Sequence, residues 1–129
     1  MTLKRRSIVA ALFVLSGIVI TSSRIIVPAA AKEASPRVVI VHASRFSFSP
    51  AEITLKKGEP VSFQLISDDV SHSLVVRGIK VNLRNPKPNE VSEITVTPEQ
   101  AGDFKGACGV FCGSGHGTMS LTVHVLDAQ

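Results

Sequence analysis

The 129-residue sequence contains no tryptophan, no tyrosine and only two cysteines. It also lacks a glycine-rich phosphate-binding loop, a Gly-x-Ser-x-Gly nucleophile elbow and any pair of carboxylates with an evident partner. No internal repeat or low-complexity segment follows the first 31 residues, and the length allows one domain at most. These absences argue against the common nucleotide-dependent and hydrolytic enzymes.

The excess of positive charge lies within the first 24 residues, at Lys4, Arg5, Arg6 and Arg24. From Lys32 onward, ten lysines and arginines are balanced by ten aspartates and glutamates. The folded part is therefore formally neutral, and the formal charge of +4 says nothing about its partners. Without a basic patch, the sequence excludes nucleic acid as a partner.

Residues 1–31 have the pattern of a signal peptide or of a single N-terminal membrane anchor helix. The basic cluster is followed by fourteen apolar or small residues, 7–20, and by three alanines at 29–31. Because a membrane span needs about 17–25 residues, the length favours cleavage after Ala31, although residues 25–27 could extend an anchor. In both cases we expect the domain formed by residues 32–129 in the periplasm or on the outer face of the inner membrane. Membrane association would depend on the N-terminal segment.

Residues 32–129 consist of short runs that alternate apolar and polar side chains, with no helical period. The pattern predicts strands over residues 37–43, 46–50 continuing to 53–55, 60–67, 71–77, 79–84, 90–97, 103–107 and 119–126. Seven or eight short strands indicate an all-β fold, a Greek-key sandwich. The segment 108–119 then joins the last two strands at one end of the sandwich.

Four side chains of metal-binding type lie inside this twelve-residue segment: Cys108, Cys112, His116 and Met119. Thiolate and thioether ligands select copper(I), and imidazole also suits copper(II), so the segment predicts a copper site that serves both oxidation states. A disulfide between the two cysteines is the alternative. It would close a loop of only five residues and add little stability, which weakens that reading.

A further ligand from outside the segment would tie the site to the sandwich. His72 begins an expected strand directly after the Asp68-Asp69 turn, and therefore lies at an end of the fold. Loops from different hairpins can meet at one end of a sandwich, which makes His72 the candidate for a second imidazole. His42 and His124 lie within expected strands and are interpreted as surface or structural residues.

The order Cys-x-x-x-Cys-x-x-x-His-x-x-Met, preceded by Asp-Val-x-His-Ser, resembles the binuclear CuA domain of cytochrome c oxidase subunit II and of nitrous oxide reductase. Residues 46–50, the Lys57-Gly58 turn and residues 78–81 are also similar to that domain, so the resemblance covers about residues 37–126. It implies a cupredoxin-like Greek-key β-sandwich that holds two copper ions.

The resemblance also implies a ligand role for six residues. Two thiolates bridge the ions, one imidazole binds each ion, and a thioether and a backbone carbonyl are weak ligands: Cys108 and Cys112, His72 and His116, Met119, and Val110. The family often has Glu, Gln or Trp at the position of Val110, but a carbonyl ligand does not depend on the side chain. Because no ligand position stays open for substrate, such a site passes electrons and is not catalytic alone.

The implied function is electron transfer from a c-type cytochrome or a similar redox donor to a terminal oxidase. The chain would be either a free carrier or the subunit through which electrons enter cytochrome c oxidase. Asp68 and Asp69 are candidates for attracting a basic cytochrome, and apolar side chains near Val110 and Phe111 are an equal candidate for the contact.

Two alternatives remain. A mononuclear cupredoxin would bind one copper through one cysteine, one or both of His72 and His116, and Met119. Relatives of that kind generally have a single cysteine in this segment. A periplasmic copper storage or delivery protein would use the same soft ligands and release the metal.

Overall fold

The computed structural model describes residues 35–85 and 87–128. Within them the chain is almost entirely β structure, as the alternation predicted, and two short 3-10 turns are the only helical segments, Arg77–Ile79 and His116–Thr118. The strands are β1 Arg37–Ser44, β2 Ser47–Ser49, β3 Glu52–Lys56, β4 Val61–Ser67, β5 His72–Val76, β6 Val81–Asn85, β7 Val91–Val96, β8 Gly102–Ala107 and β9 Ser120–Leu126. The predicted signal or anchor helix lies outside the described residues.

The strands form two sheets that enclose one core. One sheet has the order β2-β1-β4-β7 and the other has the order β3-β9-β8-β5-β6. The pairs β1–β4 and β3–β9 are parallel, and the remaining pairs are antiparallel. Along β9, for example, Leu121, Val123 and Val125 are buried while the residues between them are not. Each sheet thus buries one face, which is how sequences of alternating polarity form a sandwich.

Residues 46–55 form two strands in different sheets. β2 pairs with β1, and β3 pairs with β9 of the opposite sheet. Pro50 lies between them, and because proline has no N–H to donate, it interrupts the ladder where the chain crosses between the sheets. The structure consequently has nine strands in the described residues, above the seven or eight expected.

The strand expected over residues 79–84 begins later, at Val81, because the preceding residues form a tight turn. Lys80 ends that turn in the left-handed conformation, with φ of 60°. Gly78 in the same turn lies against an aromatic ring, and a Cβ at this position would stand 2.0 Å from Cδ1 of Phe104. The ring thus leaves no room for a side chain at position 78, and β6 begins only after the turn ends at Lys80.

Strand directions bring three chain segments to one end of the sandwich. β5 and β9 are both antiparallel to β8, so the beginnings of β5 and β9 lie beside the end of β8. His72 is the first residue of β5, and the segment that follows Ala107 begins at the same end.

In the described part of the chain no helix has the length and apolar character of a membrane span.

The core predicts a contrast between two phenylalanines. Phe63 is fully buried, whereas Phe111 is 78% exposed. Phe63→Ala should lower the free energy of unfolding by about 3–5 kcal/mol, since it leaves a cavity in the core. Phe111→Ala should change it by less than about 0.5 kcal/mol. Denaturant unfolding of the metal-free protein measures both values, and equal losses would contradict the described core.

Candidate metal centre

The two cysteines face each other without forming a bond. Their Sγ atoms are 3.9 Å apart, far beyond the length of about 2.0 Å of a disulfide, and both side chains are free and buried. Two sulfurs that bind the same metal ion, each at about 2.3 Å, can be at most about 4.6 Å apart. The spacing of the two thiols therefore permits shared metal ligation and excludes the disulfide alternative for this conformation.

Each cysteine has an imidazole beside it. Nδ1 of His72 is 3.9 Å from Sγ of Cys108, and Nδ1 of His116 is 3.8 Å from Sγ of Cys112. The ligand atoms of His72, Cys108 and Cys112 all lie within 4.8 Å of one another. A nitrogen at about 2.1 Å and a sulfur at about 2.3 Å from one metal are at most about 4.4 Å apart, so each imidazole can share a metal with its cysteine.

The weaker predicted ligands also lie against the dithiol, one beside each cysteine. Sδ of Met119 is 3.9 Å from Sγ of Cys112, and Met119 is fully buried. The carbonyl oxygen of Val110 is 3.2 Å from Sγ of Cys108. The structure thus brings all six sequence-predicted site residues together, in two groups around the two sulfurs.

Backbone hydrogen bonds close the ligand segment on itself. The N–H of Cys108 donates to the carbonyl of Met119, and the N–H of His116 donates to the carbonyl of Gly113. Gly113 has φ of +138°, a conformation that favours glycine. A Cβ at Gly115 would stand 2.4 Å from the ring of Phe46. Gly113 and Gly115 lack a side chain where the backbone lies directly on this ring.

Asp69 orients the buried imidazole of His72, a role that sequence reasoning missed. Nε2 of His72 donates to Oδ1 of Asp69 at 2.7 Å, and His72 is fully buried. Partial burial opposes ionisation of Asp69, but hydrogen bonds from the backbone of Arg45 and from His72 hold its pKa below the usual value. The bond fixes the ring so that Nδ1 faces the dithiol. The available signal in the sequence was that Asp69 precedes His72 by three positions.

The neighbouring Asp68 and the other two histidines lie in surface pairs. Nδ1 of His42 is 2.9 Å from Asp68, and Nδ1 of His124 is 2.7 Å from Asp103. Both histidines are outside the cluster around the dithiol, in agreement with their interpretation as surface or structural residues. Asp68 and Asp69 thus each have a histidine partner within the domain.

The two thiols differ in acidity. Burial raises the pKa of Cys108, but hydrogen bonds to the backbone of Ser73 and Val110 and to two imidazoles outweigh it and lower the pKa to about 6. Burial, together with the charge of Cys108, raises the pKa of Cys112 above its usual value. Cys108 is thus ionised at neutral pH, whereas Cys112 keeps its proton and would have to lose it to serve as a metal ligand.

The donor set fits copper better than other metals. Two cysteines and two histidines alone would also suit zinc, but a buried methionine sulfur beside them is a soft ligand that favours copper. Hard ions such as magnesium and calcium require oxygen ligands, and of the six donors described here one is an oxygen, the Val110 carbonyl.

Comparison with known proteins agrees with this geometry. A family model described as a cupredoxin-like domain matches residues 8–121. This chain belongs to the cupredoxin-like domain family. Cytochrome c oxidase subunit 2 of Thermus thermophilus is 33% identical over 89 residues, which are 69% of this chain and 65% of that protein. The cupredoxin domain described here is thus homologous to oxidase subunit II, and it spans less than two thirds of that relative's length.

Solved structures share the fold. The periplasmic domain of subunit II of cytochrome oxidase from Bradyrhizobium japonicum superimposes with a TM-score of 0.65 at 15% identity, over 73% of this chain and 86% of that one. Auracyanin A, a blue copper protein of Chloroflexus aurantiacus, gives 0.57 at 18% identity, over 71% of this chain and 100% of that one. These findings confirm the predicted cupredoxin sandwich and the predicted relation to oxidase subunit II.

The different acidities predict two separate titration steps in the metal-free protein. Thiolate absorbance in the ultraviolet should rise near pH 6 as Cys108 ionises and again only above the ordinary thiol range as Cys112 ionises. Because the Cys108 thiolate is protonated as pH falls through its lowered pKa, metal binding should weaken below about pH 6.

Matched variants assign the two steps. Cys108→Ser should remove the low step, and Cys112→Ser should leave it in place. A single step of two thiols in the ordinary range would contradict the described environment of Cys108.

Proposed function

We propose that this cupredoxin domain is a binuclear-copper electron-transfer domain of the CuA type. The observation that carries the proposal is the facing pair of free thiols, 3.9 Å apart, with a separate imidazole beside each sulfur. A single cupredoxin copper uses one thiolate with two imidazoles and would leave the second thiol unused, whereas two sulfur–imidazole pairs that share a dithiol suit two ions. Copper bound here would supply reversible one-electron chemistry.

The residues around the dithiol favour electron transfer over catalysis. Cys108, Cys112 and Met119 are buried, and His72 is fully buried, so four of the six donors are shielded from solvent. A catalytic metal site keeps a ligand position open, and here four further donors surround the two sulfurs. A short segment closed by its own hydrogen bonds also limits movement of the ligands between oxidation states.

Homology to oxidase subunit II and the pattern of residues 1–31 support a location in the periplasm or on the outer face of the inner membrane. We propose that electrons come from a c-type cytochrome and pass to a terminal oxidase. Phe111 supports a contact surface at the metal end, because its ring is 78% exposed and its centroid is 6.0 Å from that of His116. Weak redox encounters need only a small area of this kind.

Two other functions are less well supported. A mononuclear site of one cysteine, one or both histidines and Met119 would leave the other free thiol, 3.9 Å away, without a role. Copper delivery needs an exchangeable ligand set, whereas both cysteines are buried here. The number and exchange rate of bound coppers separate the three functions.

The binuclear site predicts two coppers per chain in a fully loaded sample with reduced thiols. Electron paramagnetic resonance should show hyperfine structure from two equivalent copper nuclei, because the shared thiolates spread one electron over both ions. Cys112→Ser and His116→Ala should abolish that pattern and reduce the copper content.

His124→Ala is the matched control, since His124 pairs with Asp103 on the surface, and it should retain both coppers. One tightly held copper in the native protein would establish the mononuclear alternative. Rapid loss of copper to a competing chelator, without reversible redox cycling, would establish delivery.

A further inference from the structure

Arg45 lies in the turn between β1 and β2, outside every motif that the sequence offers for metal binding. It is 24 residues before Asp69 and 67 residues before Cys112. In the fold, however, this turn lies at the same end of the sandwich as the ligand segment. The N–H of Asp68 donates to the carbonyl of Ala43, which joins the ends of β1 and β4 at that end.

One residue makes two hydrogen bonds to two separate parts of the metal centre. The backbone N–H of Arg45 donates to Oδ2 of Asp69 at 2.9 Å, and its Nε donates to the carbonyl of Cys112 at 3.0 Å. The other oxygen of Asp69 accepts the bond from His72. A continuous series of hydrogen bonds therefore runs from the imidazole of His72 through Asp69 and Arg45 to the backbone of Cys112.

The next residue supports the ligand segment by packing. The ring of Phe46 lies against Gly113 and Gly115, where a Cβ would stand 2.9 Å and 2.4 Å from ring atoms. The ring restricts movement of the segment toward the turn, but it provides no directional bond. The bond from Arg45 to Cys112 supplies the direction, because the guanidinium donates in a fixed plane.

We propose that Arg45 is a positioning residue that fixes Cys112 relative to His72 before metal binds. The proposal rests on the proposed metal centre, since its consequence is the spacing of ligands from two distant parts of the chain. The N–H of Gly109 donates to Oγ of Ser73, so the Cys108 side of the ligand segment is already tied to the strand of His72. Arg45 links the Cys112 side to His72 through Asp69, across the end of the sandwich.

Arg45→Ala tests the proposal with Arg37→Ala as the matched control. Arg37 is the first residue of β1, the strand that leads into the turn of Arg45, and its Nη1 donates to a backbone carbonyl, that of Thr54, at 2.9 Å. Each variant thus removes a hydrogen bond from a guanidinium to a backbone carbonyl, but only the bond of Arg45 reaches a metal-binding residue. The full protein is used in both cases, with Lys57, whose N–H donates to Leu126, as a distant reference amide.

The first measurement is amide hydrogen exchange in the metal-free protein. The amides of His116 and Met119 are protected by bonds inside the ligand segment, so they report whether the segment opens. Arg45→Ala should speed their exchange about tenfold, the effect of losing one hydrogen bond. Arg37→Ala should leave these amides unchanged. Equal exchange in Arg45→Ala and the native protein, or equal acceleration by Arg37→Ala, would overturn the proposal.

The second measurement uses the copper-loaded protein. Arg45→Ala should change the copper hyperfine pattern and speed copper release to a chelator, whereas Arg37→Ala should do neither. A native spectrum and native release rate in Arg45→Ala would overturn the positioning role. If the native protein binds one copper but the metal-free exchange still responds to Arg45→Ala, the binuclear function fails and the positioning of Cys112 stands.

A double variant tests the link to His72. If the bonds of Arg45 and Asp69 act in series, loss of one already releases the turn. Loss of the other should then accelerate amide exchange by a smaller factor. Arg45→Ala combined with Asp69→Asn should therefore accelerate exchange of the His116 amide by less than the product of the two single effects. Independent, multiplicative effects would show that the two bonds act separately and would overturn the linkage.

Discussion

The approach of two unbonded thiols determines the chemistry of this domain. Cys108 and Cys112 stand 3.9 Å apart in a buried site, a distance that excludes a disulfide and allows both sulfurs to bind the same metal. Like charges at that distance repel, and burial opposes ionisation of both groups, so the pair is stable as thiolates only with cations between them. The surrounding imidazoles and the thioether make copper the cation that fits best.

The sandwich provides a rigid frame for this pair. β5 and β9 begin where β8 ends, which places His72, Cys108 and Met119 at one end of a single sheet. The opposite sheet contributes the turn that contains Arg45 and Phe46. Ligands from distant parts of the sequence are thereby fixed by strand pairing and by direct bonds between loops, and the ligand segment itself can stay short and rich in glycine.

Local patterns allowed much of this to be predicted from the sequence. Alternating polarity identified the strands, because a sheet that buries one face requires it. The spacing of Cys108, Cys112, His116 and Met119 identified the candidate ligands, since all four lie in one segment. His72 was predictable only through the motif around it and its place at a strand start.

The remaining features depend on contacts between distant residues. Asp69 was predictable only as a candidate for contact with a cytochrome, and its bond to the buried imidazole of His72 depends on the fold. Arg45 carries no local signal, because its bond to Cys112 exists only after β1 and the ligand segment meet. The ring of Phe104 likewise approaches Gly78 from another strand. Tertiary contacts of this kind cannot be inferred from periodicity.

Anomalous scattering at the copper absorption edge, from crystals of the copper-loaded protein, tests the central claim most directly. The account predicts two separate copper peaks, each in contact with the sulfurs of both Cys108 and Cys112, one beside His72 and the other beside His116. A single peak, or a covalent bond between the two sulfurs in the metal-loaded protein, would contradict it.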